Sequence, residues 1–221
     1  MSRISERQTR EALAVYFIMG STNCLQDPVK TLEEAIKGGI TLFQLREKGP
    51  GALTGKAKEA LALKLQEVCR RHGVPFLVND DIELAAAIQA DGVHIGQEDE
   101  PLEAVRARFP DKIIGVSAHT LEEAGQAAAD GADYLGMGPV FPTSTKPDAK
   151  AARGTELIKA VRRSGLQLPI VGIGGITPAN ARVVVEDGAD GVSVITAISQ
   201  ASSPLQAAHE LKRAVEDAHV R

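Results

Sequence analysis

The stretch Asp130-Gly131-Ala132-Asp133-Tyr134-Leu135 closes one pattern of helical spacing and opens an apolar run, and its first four residues recur as Asp187-Gly188-Ala189-Asp190 ahead of Val192. Looser versions of the junction are Lys37-Gly38-Gly39-Ile40, His72-Gly73-Val74-Pro75 and Asp91-Gly92-Val93. Glycine suits such a place because the residue after a helix often takes a positive φ, which is costly for a branched side chain. Helix starts are marked as regularly: Asp27-Pro28, Thr120-Leu121-Glu122-Glu123 and Thr177-Pro178 each offer a capping oxygen followed by proline or an early acid. Short apolar runs begin near Tyr16, Leu42, Phe76, Val93, Ile113, Tyr134, Ile170 and Val192. Spaced by about 25 residues and each followed by helical spacing, these runs predict a single (β/α)8 TIM barrel of the α/β class. Residues 1–12 read as a polar N-terminal extension and 13–221 as the barrel, with no internal linker or low-complexity segment.

Composition agrees. The chain has 221 residues, enough to bury roughly 70% of its unfolded surface without staples. With 21 glycines and 3% aromatics, its core is mainly Ala, Val, Ile and Leu, as expected for strands covered on both faces by small-residue helices. Lys and Arg number 25 against 29 Asp and Glu, a net −4 without a basic block, which argues against nucleic-acid binding. No apolar run approaches the ~18 residues of a membrane span, and the opening residues are polar and mixed in charge, so no membrane association or export is expected. Cys24 and Cys69 lack metal-binding spacing and read as reduced thiols of a cytoplasmic protein. A homo-oligomer is left open.

In such a barrel, chemistry belongs at the C-terminal ends of the strands. The second strand ends in Gln44-Leu45-Arg46-Glu47-Lys48, with Gln44 and Arg46 on one side and Lys48 at the mouth. The third ends in Asn79-Asp80-Asp81, the fourth carries His94 and, in its loop, Asp99, and the fifth ends in Ser117-Ala118-His119. The sixth leads into Thr143-Ser144-Thr145-Lys146, the seventh into Gly172-Ile173-Gly174-Gly175, and the eighth into Ile195-Thr196.

Each feature has a plain alternative. The glycines can serve a tight turn, or expose backbone N–H groups to a phosphate at the seventh and eighth loops. Asp80 and Asp81 can cap the next helix, with Glu83 completing a capping box from Asp80, but Asp99 at the adjacent rim makes a pair of hard ligands suited to Mg²⁺. Arg46, Lys48 and Lys146 can be solvated charges, or together clamp a polyanion. Ser117 can cap a helix, His94 can be a packed core residue, and His119 can face solvent.

These segments, with His94-Ile95-Gly96-Gln97-Glu98-Asp99 and Gly136-Met137-Gly138-Pro139-Val140-Phe141-Pro142, resemble thiamine phosphate synthase in order over nearly all of the chain from Tyr16. The resemblance implies that Gln44-Leu45-Arg46-Glu47-Lys48 and Asn79 hold 4-amino-2-methyl-5-hydroxymethylpyrimidine diphosphate, that Asp80 and Asp99 bind Mg²⁺, and that Ser117 and Lys146 contact the diphosphate. It further implies that Thr143, Ser144, Thr145, Gly175, Ile195 and Thr196 form the site for 4-methyl-5-(2-phosphooxyethyl)thiazole. Thr196 stands where relatives often have Ser, which leaves its backbone N–H unchanged. Arg46, Lys48, Ser117 and Lys146 are the implied catalytic groups, acting on a dissociative displacement at the pyrimidine methylene. Two rival readings are a thiazole tautomerase of the same fold, with a proton carrier near His119, and a non-catalytic phosphate-binding barrel that needs only the glycine loops.

Overall fold

The computed structural model describes residues 4–143, 145 and 152–220. Its parallel strands are β1 (Val15–Met19), β2 (Leu42–Leu45), β3 (Phe76–Asn79), β4 (Gly92–Ile95), β5 (Ile113–Ala118), β6 (Tyr134–Met137), β7 (Ile170–Ile173) and β8 (Gly191–Val194), and they close in chain order, β8 pairing with β1. Every strand begins within one residue of the expected apolar run. Because side chains alternate along a strand, Tyr16, Ile18, Leu42, Leu77, Ile113, Tyr134 and Val171 fill the barrel interior. The intervening set, including Phe17, Phe43, Leu45, Phe76 and Val78, packs outward against the helices. Burial on both faces explains why the runs are continuously apolar rather than alternating.

The covering helices are α2 (Pro28–Gly38), α3 (Gly55–His72), α4 (Ile82–Ala87), α5 (Leu102–Arg108), α6 (Leu121–Ala129), α7 (Glu156–Arg163), α8 (Ala181–Glu186), α9 (Thr196–Ser199) and α10 (Pro204–His219). Asp27 caps α2 and Thr120 caps α6, each side chain accepting a backbone N–H three residues on. Thr177-Pro178 does not start a helix. Asn180 Oδ1 instead accepts the Thr177 N–H at 2.8 Å, the intervening residues make a turn, and α8 begins at Ala181.

The repeated junction has a structural purpose. Asp133 Oδ2 accepts from Ile114 N (2.8 Å) and Arg106 Nη2 (2.6 Å), while Asp190 Oδ2 accepts from Ile170 N (2.7 Å) and Arg162 Nη2 (2.8 Å). The last residue of each repeat thus ties a new strand to the start of the preceding one and to an arginine of the helix before it.

Residues 6–12, expected only as part of a polar extension, belong to α1 (Glu6–Leu13). Ser5 and Gln8 form a reciprocal capping box, Leu13 is fully buried, and Arg10 pairs with Asp190. Val192 N donates to Ala14 O at 3.2 Å, which sets α1 against the strand starts and leaves the opposite mouth open. Cys24 and Cys69 are both free, and burial pushes the Cys24 thiol up to about 12. Among the described residues no helix is long and apolar enough to cross a membrane.

Candidate active site

At the C-terminal ends of the strands lies a cleft of about 820 Å³. The alternation that buries Gln44 in the barrel brings Arg46 to the cleft wall, where its backbone N–H continues the β1 ladder to Met19 O at 2.9 Å. Lys48 follows, and its Nζ lies 2.6 Å from Asp80 Oδ2. That hydrogen bond, helped by the charge of Asp99, raises the Lys48 pKa and holds the amine as a cation.

The two neighbouring aspartates at the end of β3 divide their work. Asp81 caps α4 by accepting the Leu84 N–H at 3.0 Å and pairs with Lys58. Burial opposes its ionisation, yet Lys58 and that N–H hold its carboxyl below the usual range. Asp80 does not cap, contrary to the capping box considered from Asp80 to Glu83. It sits at φ 59, in the left-handed region that Asp tolerates better than most residues, and its side chain lines the cleft. Asp99 lines the same wall with Oδ2 held by Gly96 N at 2.7 Å. Partial burial, followed by the proximity of Asp80, raises the Asp99 pKa. Two carboxylates on one wall, without a sulfur or imidazole ligand, make a donor set for a hard cation completed by water or substrate oxygens. No cluster of three or more His, Cys, Asp or Glu ligands occurs among the described residues.

Ser117, at an inward position of β5, lines the cleft and bonds through Oγ to His94 Nε2 at 2.9 Å. The cap of α6 is Thr120, so Ser117 is not needed there. Gln97 Nε2 donates to the Ser117 carbonyl at 2.6 Å and fixes the strand end.

The opposite wall is built of backbone and hydroxyls. Gly175 has φ 62, and a Cβ on it would stand 2.6 Å from Pro142 O and 2.8 Å from Phe141 Cβ, so only glycine fits. Thr196 begins α9, whose first N–H groups have no helical acceptor. Thr145 Oγ1 lies 3.3 Å from Thr196 Oγ1 and joins the loops after β6 and β8.

Of the residues expected from sequence, Arg46, Lys48, Asn79, Asp80, Asp99, Ser117, Thr143, Thr145, Gly175, Ile195 and Thr196 meet at this cleft. Ser144 and Lys146 lie outside the described residues. Gln44, Leu45 and Glu47 do not line it. Gln44 is 1% exposed and donates to the Tyr16 hydroxyl, and Leu45 faces the helices. Glu47 accepts from Ser21 N, Ser21 Oγ and Leu53 N, clamping the loop that carries Arg46 and Lys48.

A family model described as thiamine monophosphate synthase matches residues 15–198. The chain belongs to the thiamine monophosphate synthase family. It is 59% identical over 221 residues to thiamine-phosphate synthase of Geobacillus kaustophilus, with all of both chains covered, and 56% identical to that of Bacillus thuringiensis subsp. konkukian over 96% of each. A solved thiamine phosphate pyrophosphorylase from Pyrococcus furiosus superposes with a TM-score of 0.86 at 37% identity, covering 95% of this chain and 98% of that one. Activity therefore follows the thiamine monophosphate synthase family, whose members are transferases. The tautomerase and idle-barrel readings give way to it, and His119, the rival proton carrier, sits at the cleft with its backbone N–H on Glu123 Oε2 at 2.6 Å.

Sequence reasoning left His94 undecided and gave no part to Tyr16 or Tyr134. Alternation along β1, β4 and β6 would have turned all three inward. It also missed Ser193, whose buried Oγ lines the cleft without a hydrogen-bond partner among the described residues.

Proposed function

We propose that the cleft transfers the pyrimidinylmethyl group of 4-amino-2-methyl-5-hydroxymethylpyrimidine diphosphate to the ring nitrogen of 4-methyl-5-(2-phosphooxyethyl)thiazole. The observation that carries this reading is one wall of cations and carboxylates, Arg46, Lys48, Asp80 and Asp99, facing a wall of glycine backbone and threonine hydroxyls. The first suits a diphosphate with a metal, and the second a monophosphate. Asp80 and Asp99 would hold Mg²⁺, which when bound supplies positive charge to the leaving diphosphate.

The bond between the methylene carbon and the diphosphate oxygen breaks with its electron pair on the diphosphate. The nitrogen lone pair of the thiazole then closes the new carbon–nitrogen bond. That nitrogen carries no proton, so no general base is required. Arg46, Lys48 and the Ser117 hydroxyl meet the charge that develops on the leaving group, and Lys146 joins them in this assignment by resemblance. Gly175, Ile195 and Thr196, with Thr143, Ser144 and Thr145, receive the thiazole phosphate. Asn79 borders the pyrimidine side. Gln44, Leu45 and Glu47 support that side from behind the wall. The free thiols of Cys24 and Cys69 support a cytoplasmic setting.

The test is diphosphate release by the purified protein given both substrates and Mg²⁺. Release should require thiazole phosphate and metal, and Asp80→Ala or Asp99→Ala should lose most of it while the fold survives. Unaltered turnover in both variants, still abolished by chelator, would move the metal to other residues.

A further inference from the structure

A line of hydrogen bonds runs from the barrel interior to the cleft. Gln44 Nε2 donates to the Tyr16 hydroxyl, which lies 2.8 Å from the Tyr134 hydroxyl; that oxygen is 2.9 Å from His94 Nδ1, and His94 Nε2 is 2.9 Å from Ser117 Oγ. Gln44 and Tyr16 are 1% exposed and Tyr134 is fully buried. Two neighbouring strands are emptied to admit the line. A Cβ on Gly115 would stand 2.0 Å from Tyr134 Cζ, and one on Gly136 would stand 3.0 Å from His94 Cε1.

Each link can be ordered by counting hydrogens. An amide nitrogen only donates, so the one hydroxyl hydrogen of Tyr16 goes to Tyr134. The hydrogen of Tyr134 then goes to His94 Nδ1. A neutral imidazole that accepts at Nδ1 carries its hydrogen on Nε2, and that hydrogen is given to Ser117 Oγ. The Ser117 hydrogen is left for the cleft. Burial holds both phenols well above their ordinary pKa, so each keeps the hydrogen it must give.

We propose that Gln44, Tyr16 and Tyr134 are positioning residues that lock His94 as the Nε2–H tautomer and so make the Ser117 hydroxyl a hydrogen-bond donor into the cleft. Reversing the line would turn the serine hydrogen inward onto His94 and present only lone pairs to an anion. The role of that donor toward diphosphate rests on the proposed function; the tautomer does not.

The experiment is long-range proton–nitrogen NMR of protein labelled with ¹⁵N-histidine, without substrate at neutral pH, the His94 signals being assigned by their loss in His94→Gln. The parent should show His94 protonated at Nε2 and accepting at Nδ1. Tyr134→Phe removes the donor to Nδ1, so the single tautomer should give way to a mixture. Its kcat should fall about tenfold, the rate equivalent of one net hydrogen bond, with the KM for pyrimidine diphosphate little changed. Should that variant fail to fold, Tyr16→Phe breaks the line one link further out and should also loosen the tautomer. An Nδ1–H tautomer in the parent would overturn the proposal, as would a folded Tyr134→Phe protein with parental tautomer and kcat. An inactive parent with the Nε2–H tautomer would sink the transfer reading and leave the ordered line standing.

Discussion

At the scale of single residues, neighbours in sequence serve different ends, and substitutions should separate them. Ser117 faces the cleft, whereas Thr120 caps α6. Thr120→Ala should lower stability by ~1 kcal/mol and leave single-turnover rate alone. Ser117→Ala should do the reverse, keeping its melting temperature while losing about a hundredfold to a thousandfold in rate, as when one donor is removed from a preorganised oxyanion site. A Ser117→Ala protein that melts early and reacts at the parental rate would return Ser117 to a structural role. Asp99 supplies a second contrast. Its pKa is raised in the folded protein, so the folded state binds this proton more tightly than the unfolded chain does. The resulting penalty is absent below the unfolded pKa and complete above the folded one. Without divalent metal, Asp99→Asn should therefore melt higher than the parent at pH 7 and show no advantage at low pH, while losing turnover with Mg²⁺. A variant less stable than the parent at pH 7 would show that the Gly96 contact outweighs repulsion from Asp80.

At the scale of elements, the strands were legible because burial on both faces makes each one a short apolar run bounded by turn residues. The helix starts were legible where a side-chain oxygen caps the helix directly, as at Asp27 and Thr120. Thr177 misled because Asn180 intervenes and turns the chain once before α8 begins. The first helix went unread because its polar face dominates its composition, although Ser5-x-x-Gln8 carries the capping-box spacing. Its buried side offers a test at the end of the barrel away from the chemistry. Leu13→Ala should cost about 2–5 kcal/mol, as for a large-to-small change in a packed core, with turnover per folded molecule unchanged. A melting temperature equal to the parent's would mean that α1 contributes little to closing the barrel.

At the scale of the whole molecule, the barrel gathers groups from separate strands onto one rim, and that gathering was legible once the strand ends were placed. What could not be read was depth. Gln44 and Arg46 share a side of β2, yet Gln44 is buried beside Tyr16 while Arg46 reaches the cleft, because successive inward layers of a filled barrel differ in exposure. The same layering hid the tyrosine pair, since nothing local in sequence brings Tyr16 to Tyr134. On the proposed mechanism the fold carries a wall of fixed charge toward a leaving diphosphate and leaves proton transfer without a part. The most direct measurement is the single-turnover rate of diphosphate release in Lys48→Ala and His119→Ala beside the parent. Charge stabilisation predicts a loss on the order of a hundredfold or more for Lys48→Ala and a near-parental rate for His119→Ala. A near-parental Lys48→Ala with a crippled His119→Ala would make His119 a proton carrier and contradict the electrostatic mechanism.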